Sequence, residues 1–299
     1  MLILLAVLIS QDAAQDDALA EPYSPPAREN AADGGDDGVL LRQQFVDGEV
    51  WEQTLQFELR PPTGKTADDD GIAPSLMRYE LAARIRTDAV GSDGSARCSY
   101  QAGRLTGRVD LGADDKPAEA PAADESDAPP LRVPPLSFDS ERTASARSEM
   151  ELIEAEVFRP WRRLSEMIFA FEAQPTGEVA LSGDAAGTGS PYELRSRAED
   201  ADEAMRAALL ELLSWKLPPK AVAVGASWTE DRGDRTVRYT LAGPARGGYR
   251  ITVAAEGKPI GELVFDTEQR RLVSARLSRT LPDGSQSLSK WTLKKTDAF

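Results

Sequence analysis

The sequence lacks histidine altogether and has one cysteine, Cys98, in 299 residues. Without histidine there can be no Ser-His-Asp triad, no Cys-His pair and no ordinary catalytic zinc site. A single cysteine excludes an internal disulfide framework and a four-cysteine metal or iron–sulfur site. These absences favour a binding or structural protein over an enzyme. We therefore expect no catalytic residue, no metal site and no cofactor.

Basic residues are scarce relative to acidic ones, 35 against 50, which gives a net charge of −15. The excess is uneven: residues 1–40 hold eight acids and one base, and residues 113–127 hold six acids and one lysine. Both stretches are rich in Ala, Pro, Asp and Gly, a composition typical of disorder. We expect a disordered acidic leader at 21–38 and a disordered insert at 112–134. Acidic tails would repel a phosphate backbone, so nucleic acid is not expected as a partner.

Long hydrophobic runs are confined to residues 1–9. This run is shorter than the roughly 20 residues that a membrane-spanning helix needs. Followed by the small-x-small pattern Ala18-Leu19-Ala20, it predicts a signal peptide at 1–20. We expect export to the periplasm or the cell exterior, with no transmembrane helix in the mature chain. The alternative is a cytoplasmic protein whose apolar run is not a signal.

Apolar and polar residues alternate along most of the chain from residue 39 onward. The stretch Leu40 to Phe45, a turn at Asp47-Gly48 and the alternation that starts at Trp51 predict a hairpin. The same period of two predicts further strands. These lie at 77–86, 98–111, 169–181, 237–241, 249–255, 260–266, 272–281 and 287–294.

Two segments instead show apolar spacings of three and four, which predict amphipathic helices at 148–164 and 201–215, the second stopped by Pro218-Pro219. Antiparallel meanders with few helices are typical of an α+β fold. We expect one domain over 39–299, built on a curved, mainly antiparallel sheet (a half-barrel) of about ten strands. Two short helices are expected to pack against this sheet.

Motifs for chemistry are weak. Gly64-Lys65-Thr66 lacks the first glycine of a phosphate-binding loop, and the Ser-x-x-Lys spacing at 287–290 lies in a predicted strand, where its ends face opposite sides. A carboxylate pair would need one acid in an apolar pocket and one ionised acid. The carboxylates tested for this role are Glu149, Glu151, Glu154, Glu156, Glu166 and Glu172.

Four short motifs carry a family resemblance. The most specific is the Leu-Pro, Val-x-Val-Gly-x-x-Trp segment at residues 217–228. The other three are a Gly-x-x-Trp strand at 48–51, a Phe-Asp-Ser segment at 138–140, and a Gly-x-Val-x-x-x-Gly pattern formed by Gly177, Val179 and Gly183. Their order resembles a family of uncharacterised secreted or envelope bacterial proteins of planctomycete type. The resemblance implies a half-barrel similar in outline to periplasmic lipoprotein carriers, and it implies no activity. Gly225 and Trp228 are interpreted as a structural anchor, because glycine lets the chain turn and the indole covers the end of the sheet.

The leading hypothesis is a non-catalytic exported protein whose sheet shields an apolar ligand or lipid, or acts as an interaction module. The residues expected to line the concave face are Trp51, Leu55, Phe57, Phe169 and Phe171. The same side chains equally suit a plain core.

Two alternatives stay open. One is a carboxylate-dependent hydrolase. The other is an envelope assembly or scaffold component that uses a basic C-terminal sheet, although cations there also suit the wet faces of edge strands. The cations concerned are Arg270, Arg271, Arg276, Arg279, Lys290, Lys294 and Lys295.

Overall fold

The computed structural model describes residues 38–61, 74–111, 135–141, 162–182, 201–232, 235–281 and 284–296. Within these ranges twelve strands form one sheet. The strands are β1 (Val50–Arg60), β2 (Pro74–Val90), β3 (Ala96–Leu111), β4 (Leu136–Asp139), β5 (Ile168–Ala173), β6 (Val179–Leu181), β7 (Ser227–Arg232), β8 (Arg235–Ala245), β9 (Gly248–Ala255), β10 (Lys258–Asp266), β11 (Arg271–Thr280) and β12 (Gln286–Thr296).

The strand order is β6-β5-β3-β2-β1-β12-β11-β10-β9-β8-β7. The short strand β4 pairs with residues 106–109 of β3, and β5 pairs with residues 96–101 of the same strand. Each neighbouring pair is antiparallel. Strand β1 pairs with β2 on one side and with β12 on the other, so the first and last strands meet in the middle of the sheet. The expected α+β fold with a curved antiparallel sheet is confirmed.

Strand β1 shows how the alternating sequence produces a two-faced sheet. Trp51, Gln53, Leu55 and Phe57 are buried, whereas Glu52 and Gln56, at alternate positions, are exposed. Because successive side chains of a strand point to opposite faces, one face of the sheet collects the apolar residues and the other meets water. The buried face forms the concave side, which we call the hollow.

Helix α1 (Ala201–Leu213) agrees with the second expected helix. Its side chains from Ala207 to Leu212 are buried, and its leucines belong to the same hydrophobic cluster as the inner face of the sheet. A helix that is buried on nearly every side lies inside a protein, so α1 packs against the hollow. Of the other expected helix, residues 162–165 are helical with Leu164 buried, and the rest lies outside the described residues.

The hairpin expected from Leu40 to Phe45 is wrong. Residues 38–46 make one isolated bridge, between Val39 and Val222. The backbone N–H of Gln43 donates to Pro175, and that of Gln44 donates to Arg270. The segment therefore runs along the rim of the hollow, from the β5–β6 turn to the β10–β11 turn. It cannot pair with β1, since both edges of β1 are occupied by β2 and β12.

The alternative interpretation of the C-terminal cations, as the wet faces of edge strands, is wrong for β11 and β12, which lie in the centre of the sheet. The expected signal peptide (1–20), the leader up to residue 37 and the insert at 112–134 fall outside the described residues. No helix in the described ranges is long and apolar enough to cross a membrane.

Candidate functional site

All five side chains expected to line the concave face lie on the buried face of the sheet. Trp51, Leu55 and Phe57 project from β1, and Phe169 and Phe171 project from β5. They belong to one continuous hydrophobic cluster. Sequence periodicity thus placed them on the buried face of the sheet, and their role in binding a ligand stays a prediction.

Tyr100 of β3 belongs to the same buried face, although the sequence had not assigned it a role. Its ring stacks on Phe169 with the centroids 4.8 Å apart. In turn Phe169 lies 6.3 Å from Phe171 in a tilted arrangement. Aromatic pairs at these separations add to the stabilisation that burial already gives. The β3–β5 side of the hollow is therefore a packed aromatic wall.

The hollow also contains polar atoms that have no hydrogen-bond partner among the described residues. They are Trp51 Nε1, Gln53 Oε1, the Tyr100 hydroxyl and Trp291 Nε1. Each residue is at most 2% exposed. Trp51 and Gln53 alternate on β1, and Trp291 lies opposite Leu55 on β12. Buried polar groups without a partner are rare in folded proteins and each needs an explanation.

A buried arginine lies at the rim of the hollow. The Arg271 guanidinium is 4.6 Å from the centroid of the Phe45 ring and 4.7 Å from that of the Trp51 ring. Its Nη1 approaches Glu49 Oε2 at 3.5 Å, and Lys295 Nζ lies 2.8 Å from Glu49 Oε1. Arg271, Glu49, Lys295, Phe45 and Trp51 form what we call the rim cluster. Burial lowers the pKa of Arg271, against the opposing effect of Glu49.

Arg271 lies inside although it is charged. It has the same parity along β11 as Ala275 and Leu277, which are buried. The register between β10 and β11 shifts at Val264 and Phe265, where Val273 is the extra residue of β11, and Leu272 before this bulge is buried as well. The predicted basic surface must therefore be corrected: Arg271 is not part of it. On the outer face, Arg276 and Lys290 are exposed and directly opposite one another.

The two edge strands of the sheet, β6 and β7, are joined by the segment that follows α1. Trp215 N donates to Gly177 O, and Leu217 N donates to Thr176 O, both in the β5–β6 turn. On the other side Arg232 of β7 donates to Ser214 O. We call residues 214–217, with these contacts to both edges, the seam.

Gly177 is required at the seam by its geometry. Its φ is +92°, and a Cβ on it would lie 1.9 Å from the carbonyl oxygen of Trp215. Any side chain would therefore push the two backbones apart. This close approach explains why Gly177, one of the residues of the family resemblance, is a glycine here.

A second buried arginine holds the seam together. Arg232 Nε lies 2.7 Å from Glu230 Oε2, and the guanidinium is 4.7 Å from the centroid of the Trp215 ring. The Tyr239 hydroxyl donates to the same Glu230 oxygen. Burial is the main reason that the pKa of Tyr239 is raised. Arg232, Glu230, Tyr239 and Trp215 form what we call the seam cluster.

The two residues interpreted as a structural anchor lie beside the seam. Gly225 has a φ of +89°, and its N–H donates to Leu241 O. Trp228 stacks on Tyr239 with the centroids 5.7 Å apart, and its Nε1 donates to Lys216 O at 2.7 Å. Trp228 thus ties edge strand β7 to the segment after α1.

The carboxylates considered for hydrolysis are not brought together in the described residues. Glu166 and Glu172 are exposed, and Glu149, Glu151, Glu154 and Glu156 fall outside the described ranges. Among the described residues Glu211 and Glu230 are buried, as is the side chain of Glu49. Glu49 and Glu230 each have an arginine partner, and sequence patterns gave no signal for these two.

Cys98 is buried. Burial raises the pKa of its thiol to about 11 despite the nearby positive charge of Arg271. A thiol with so high a pKa carries almost no thiolate at neutral pH and is a poor nucleophile. Among the described residues no group of three or more Cys, Asp or Glu is placed to hold a metal ion.

A groove of about 500 Å³ lies on the outer face of the sheet. It is lined by charged side chains, of which Glu58 pairs with Arg78 at 3.2 Å, and by the exposed amide of Gln56, which donates to Glu80. Of the five residues expected to line a ligand site, Phe57 alone borders this groove. The groove is therefore separate from the hollow.

No family model matches the sequence, and no curated protein matches it either. Membership in the planctomycete-type family consequently stays a prediction. Among solved structures the chain is similar to lipovitellin, in a structure concerned with lipid–protein interactions, at 9% identity and a TM-score of 0.40. The match covers 85% of this chain and 26% of that chain, so this chain spans about a quarter of the lipovitellin chain.

Two smaller structures are also similar. A LolA-superfamily protein from Nitrosomonas europaea matches at 10% identity and a TM-score of 0.16, over 86% of this chain and 90% of that chain. A β-barrel-like protein of a domain of unknown function from Brucella abortus matches at 10% identity and a TM-score of 0.20, over 85% of this chain and all of that chain. Values this low carry no argument about function, which must come from the hollow itself.

Proposed function

We propose that this protein is a non-catalytic, exported lipid-binding protein that holds an apolar ligand in the hollow of its sheet. The observation that carries the proposal is the set of unpartnered polar atoms on the inner face, at Gln53, Tyr100 and Trp291. A buried polar group left without a partner costs about 1–3 kcal/mol. Apolar side chains at these positions would give a more stable plain core. A ligand with a polar group offers these atoms partners.

The surroundings of these atoms are suited to the rest of such a ligand. Leu55, Leu81 and Leu105 occupy neighbouring positions across three strands, and each is 1% exposed. Contact with apolar side chains of this kind stabilises a hydrocarbon chain by about 25 cal/mol for each Å² removed from water. A site with an apolar lining and a few placed polar groups is typical of small-molecule pockets.

The seam gives such a ligand a way into the hollow. Strands β6 and β7 make no ladder with each other in the strand order. Separating the two edges therefore breaks the few bonds at residues 214–217 and leaves the sheet itself intact.

Quenching of tryptophan fluorescence by a dibrominated long-chain methyl ester tests the proposal with the full chain. Bromine quenches an indole that it touches, so a ligand in the hollow should quench Trp51 and Trp291. We expect saturable quenching that falls in Trp291→Phe and is retained in full in the matched control Trp228→Phe. Absence of saturable quenching, or loss of quenching only in Trp228→Phe, would contradict the proposal.

A further inference from the structure

We infer that the rim cluster is a receptor for the anionic head group of the ligand, with Arg271 as the residue that binds it. This inference rests on the proposed function and goes further, because it assigns the ligand to a chemical class: a long-chain amphiphile with a single negative charge. The charge would lie at the rim, and the chain would lie along the inner face of the sheet.

The first argument is the incomplete pairing of a buried charge. The side chain of Arg271 is 5% exposed, and within the described part of the chain it has one polar partner, Glu49, at the long distance of 3.5 Å. A guanidinium has five N–H donors arranged in a planar fork. Most of these donors are therefore available, in a position where an unpaired charge is costly.

The second argument is an independent donor beside Arg271. The indole of Trp51 stacks against the guanidinium, and its Nε1–H has no partner among the described residues. Together the fork and the indole offer several donors and, of these two side chains, no acceptor. Such a set suits an anion and suits neither a cation nor a hydrocarbon.

The third argument is the charge balance at the rim. Arg271 and Lys295 carry two positive charges, and Glu49, which lies between them, carries one negative charge. One positive charge is left over, and a monoanion neutralises it. Lys295 is half-exposed, so the rim is in contact with water on one side and with the apolar hollow on the other. A site with water on one side and apolar side chains on the other suits an amphiphile, whose head group is charged and whose chain is apolar.

The arrangement also holds Arg271 in place before any ligand arrives. The rings of Phe45 and Trp51 both pack against the guanidinium. Arginine stacked on aromatic faces keeps its planar fork free for bidentate binding of a carboxylate or a phosphate. A receptor that is already ordered loses less side-chain freedom on binding.

The test compares the dibrominated fatty acid with its methyl ester, by quenching titrations on the full chain. The two probes share their hydrocarbon chain and differ in one charge. We expect the acid to bind about tenfold or more tightly than the ester, as charge-assisted hydrogen bonds warrant. Arg271→Met should reduce the affinity for the acid to that for the ester and leave ester binding unchanged.

Two variants serve as references for this comparison. Arg276→Met removes an exposed arginine from the outer face of the same strand and should change neither affinity. Arg271→Lys keeps the charge and loses the fork, so it should retain part of the preference for the acid. It also keeps the inference testable if Arg271→Met does not fold.

The outcomes separate the two proposals. Equal affinities of acid and ester for the unmodified protein would overturn the head-group receptor while leaving the lipid-binding function in place. Absence of binding of either probe would overturn both. If the acid binds more tightly than the ester, the stronger of two competitors, oleate or lysophosphatidylglycerol, identifies the preferred head group as a carboxylate or a phosphodiester.

Discussion

The rim cluster and the seam cluster each bury an arginine against aromatic rings, yet their hydrogen bonding differs. Arg232 at the seam has Glu230 at 2.7 Å and the carbonyl of Ser214 as acceptors, and Tyr239 completes the coordination of Glu230. Among the described residues, Arg271 at the rim has one distant carboxylate, which it shares with Lys295. A buried charge whose partners all come from the chain holds the structure together. One that lacks partners is available to a ligand.

The largest expected difference between the clusters is in stability. Arg232→Met leaves Glu230 buried without its counter-ion, so we expect a loss of about 3–5 kcal/mol in the free energy of unfolding. Arg271→Met leaves Glu49 paired with Lys295 and removes an incompletely paired buried charge, which offsets the lost ring contacts, so a change of less than about 1 kcal/mol is expected. Urea unfolding measures both. Equal losses would mean that the two arginines have the same role.

Glycine substitutions compare the seam with a turn that is not crowded. Gly177→Ala places a methyl group against the Trp215 carbonyl in a backbone of positive φ, for which we expect a loss of about 2–4 kcal/mol. Gly225→Ala has the same kind of φ with no atom within 4 Å, so about 1 kcal/mol is expected. Thermal or urea unfolding of the two variants measures these losses in the free energy of unfolding. A Gly177→Ala protein no less stable than Gly225→Ala would contradict the close approach at the seam.

The buried polar atoms that lack hydrogen-bond partners predict a stabilising substitution. Gln53→Leu removes a buried amide oxygen that lacks a partner, so the ligand-free protein should gain about 1–2 kcal/mol. Gln56→Leu, on the exposed face of the same strand, should change stability by less than about 0.5 kcal/mol. The same Gln53→Leu protein should bind lipid more weakly. Gain of stability without loss of binding would separate Gln53 from the ligand.

The smallest effect is a pH dependence that reports on the rim. The pKa of the Cys98 thiol, about 11, is above its ordinary value of 9.0. Between these values the unfolded chain loses the thiol proton while the folded protein keeps it, so stability falls as pH rises. The fall should reach about 1.4 kcal/mol at pH 10.

Variants assign this pH dependence to the thiol and to its neighbour. Cys98→Ala should remove the fall in stability between pH 9 and pH 10. Arg271→Met should raise the pKa of Cys98 further, because the guanidinium charge favours the thiolate. Arg276→Met should leave it unchanged. Thiolate absorbance during an alkaline titration, with Cys98→Ala as the blank, measures these shifts.

Local patterns predicted much of the fold. Alternation identified β8 to β12 as strands, and 3.6-residue periodicity found α1. These elements are predictable because each buries one face of its own sequence. The pairing of β1 with β12 is different, since Trp51 and Lys295 are 244 residues apart and no local signal specifies their contact.

The candidate site was predictable in part, and for the same reason. The five lining residues follow the alternation and lie where it places them. Arg271 was assigned to the outer basic surface although it has the parity of the buried Ala275 and Leu277, because a charged side chain is not expected on a buried face. Glu49 was hidden as well: it immediately precedes β1 and its side chain is buried, in a position where alternation gives no reason to expect a charge. A charged side chain that faces inward can be identified only from the folded structure, where the residues that pair with it are brought next to it.

Native mass spectrometry tests the central claim, that the hollow holds a lipid, most directly. The full chain would be incubated with a total lipid extract, re-isolated by gel filtration and sprayed from a detergent-free solution. We predict one lipid adduct per chain, enriched in singly charged amphiphiles and reduced in Arg271→Met but not in Arg276→Met. A spectrum that shows only the bare chain, under conditions where the folded protein survives, would contradict the account.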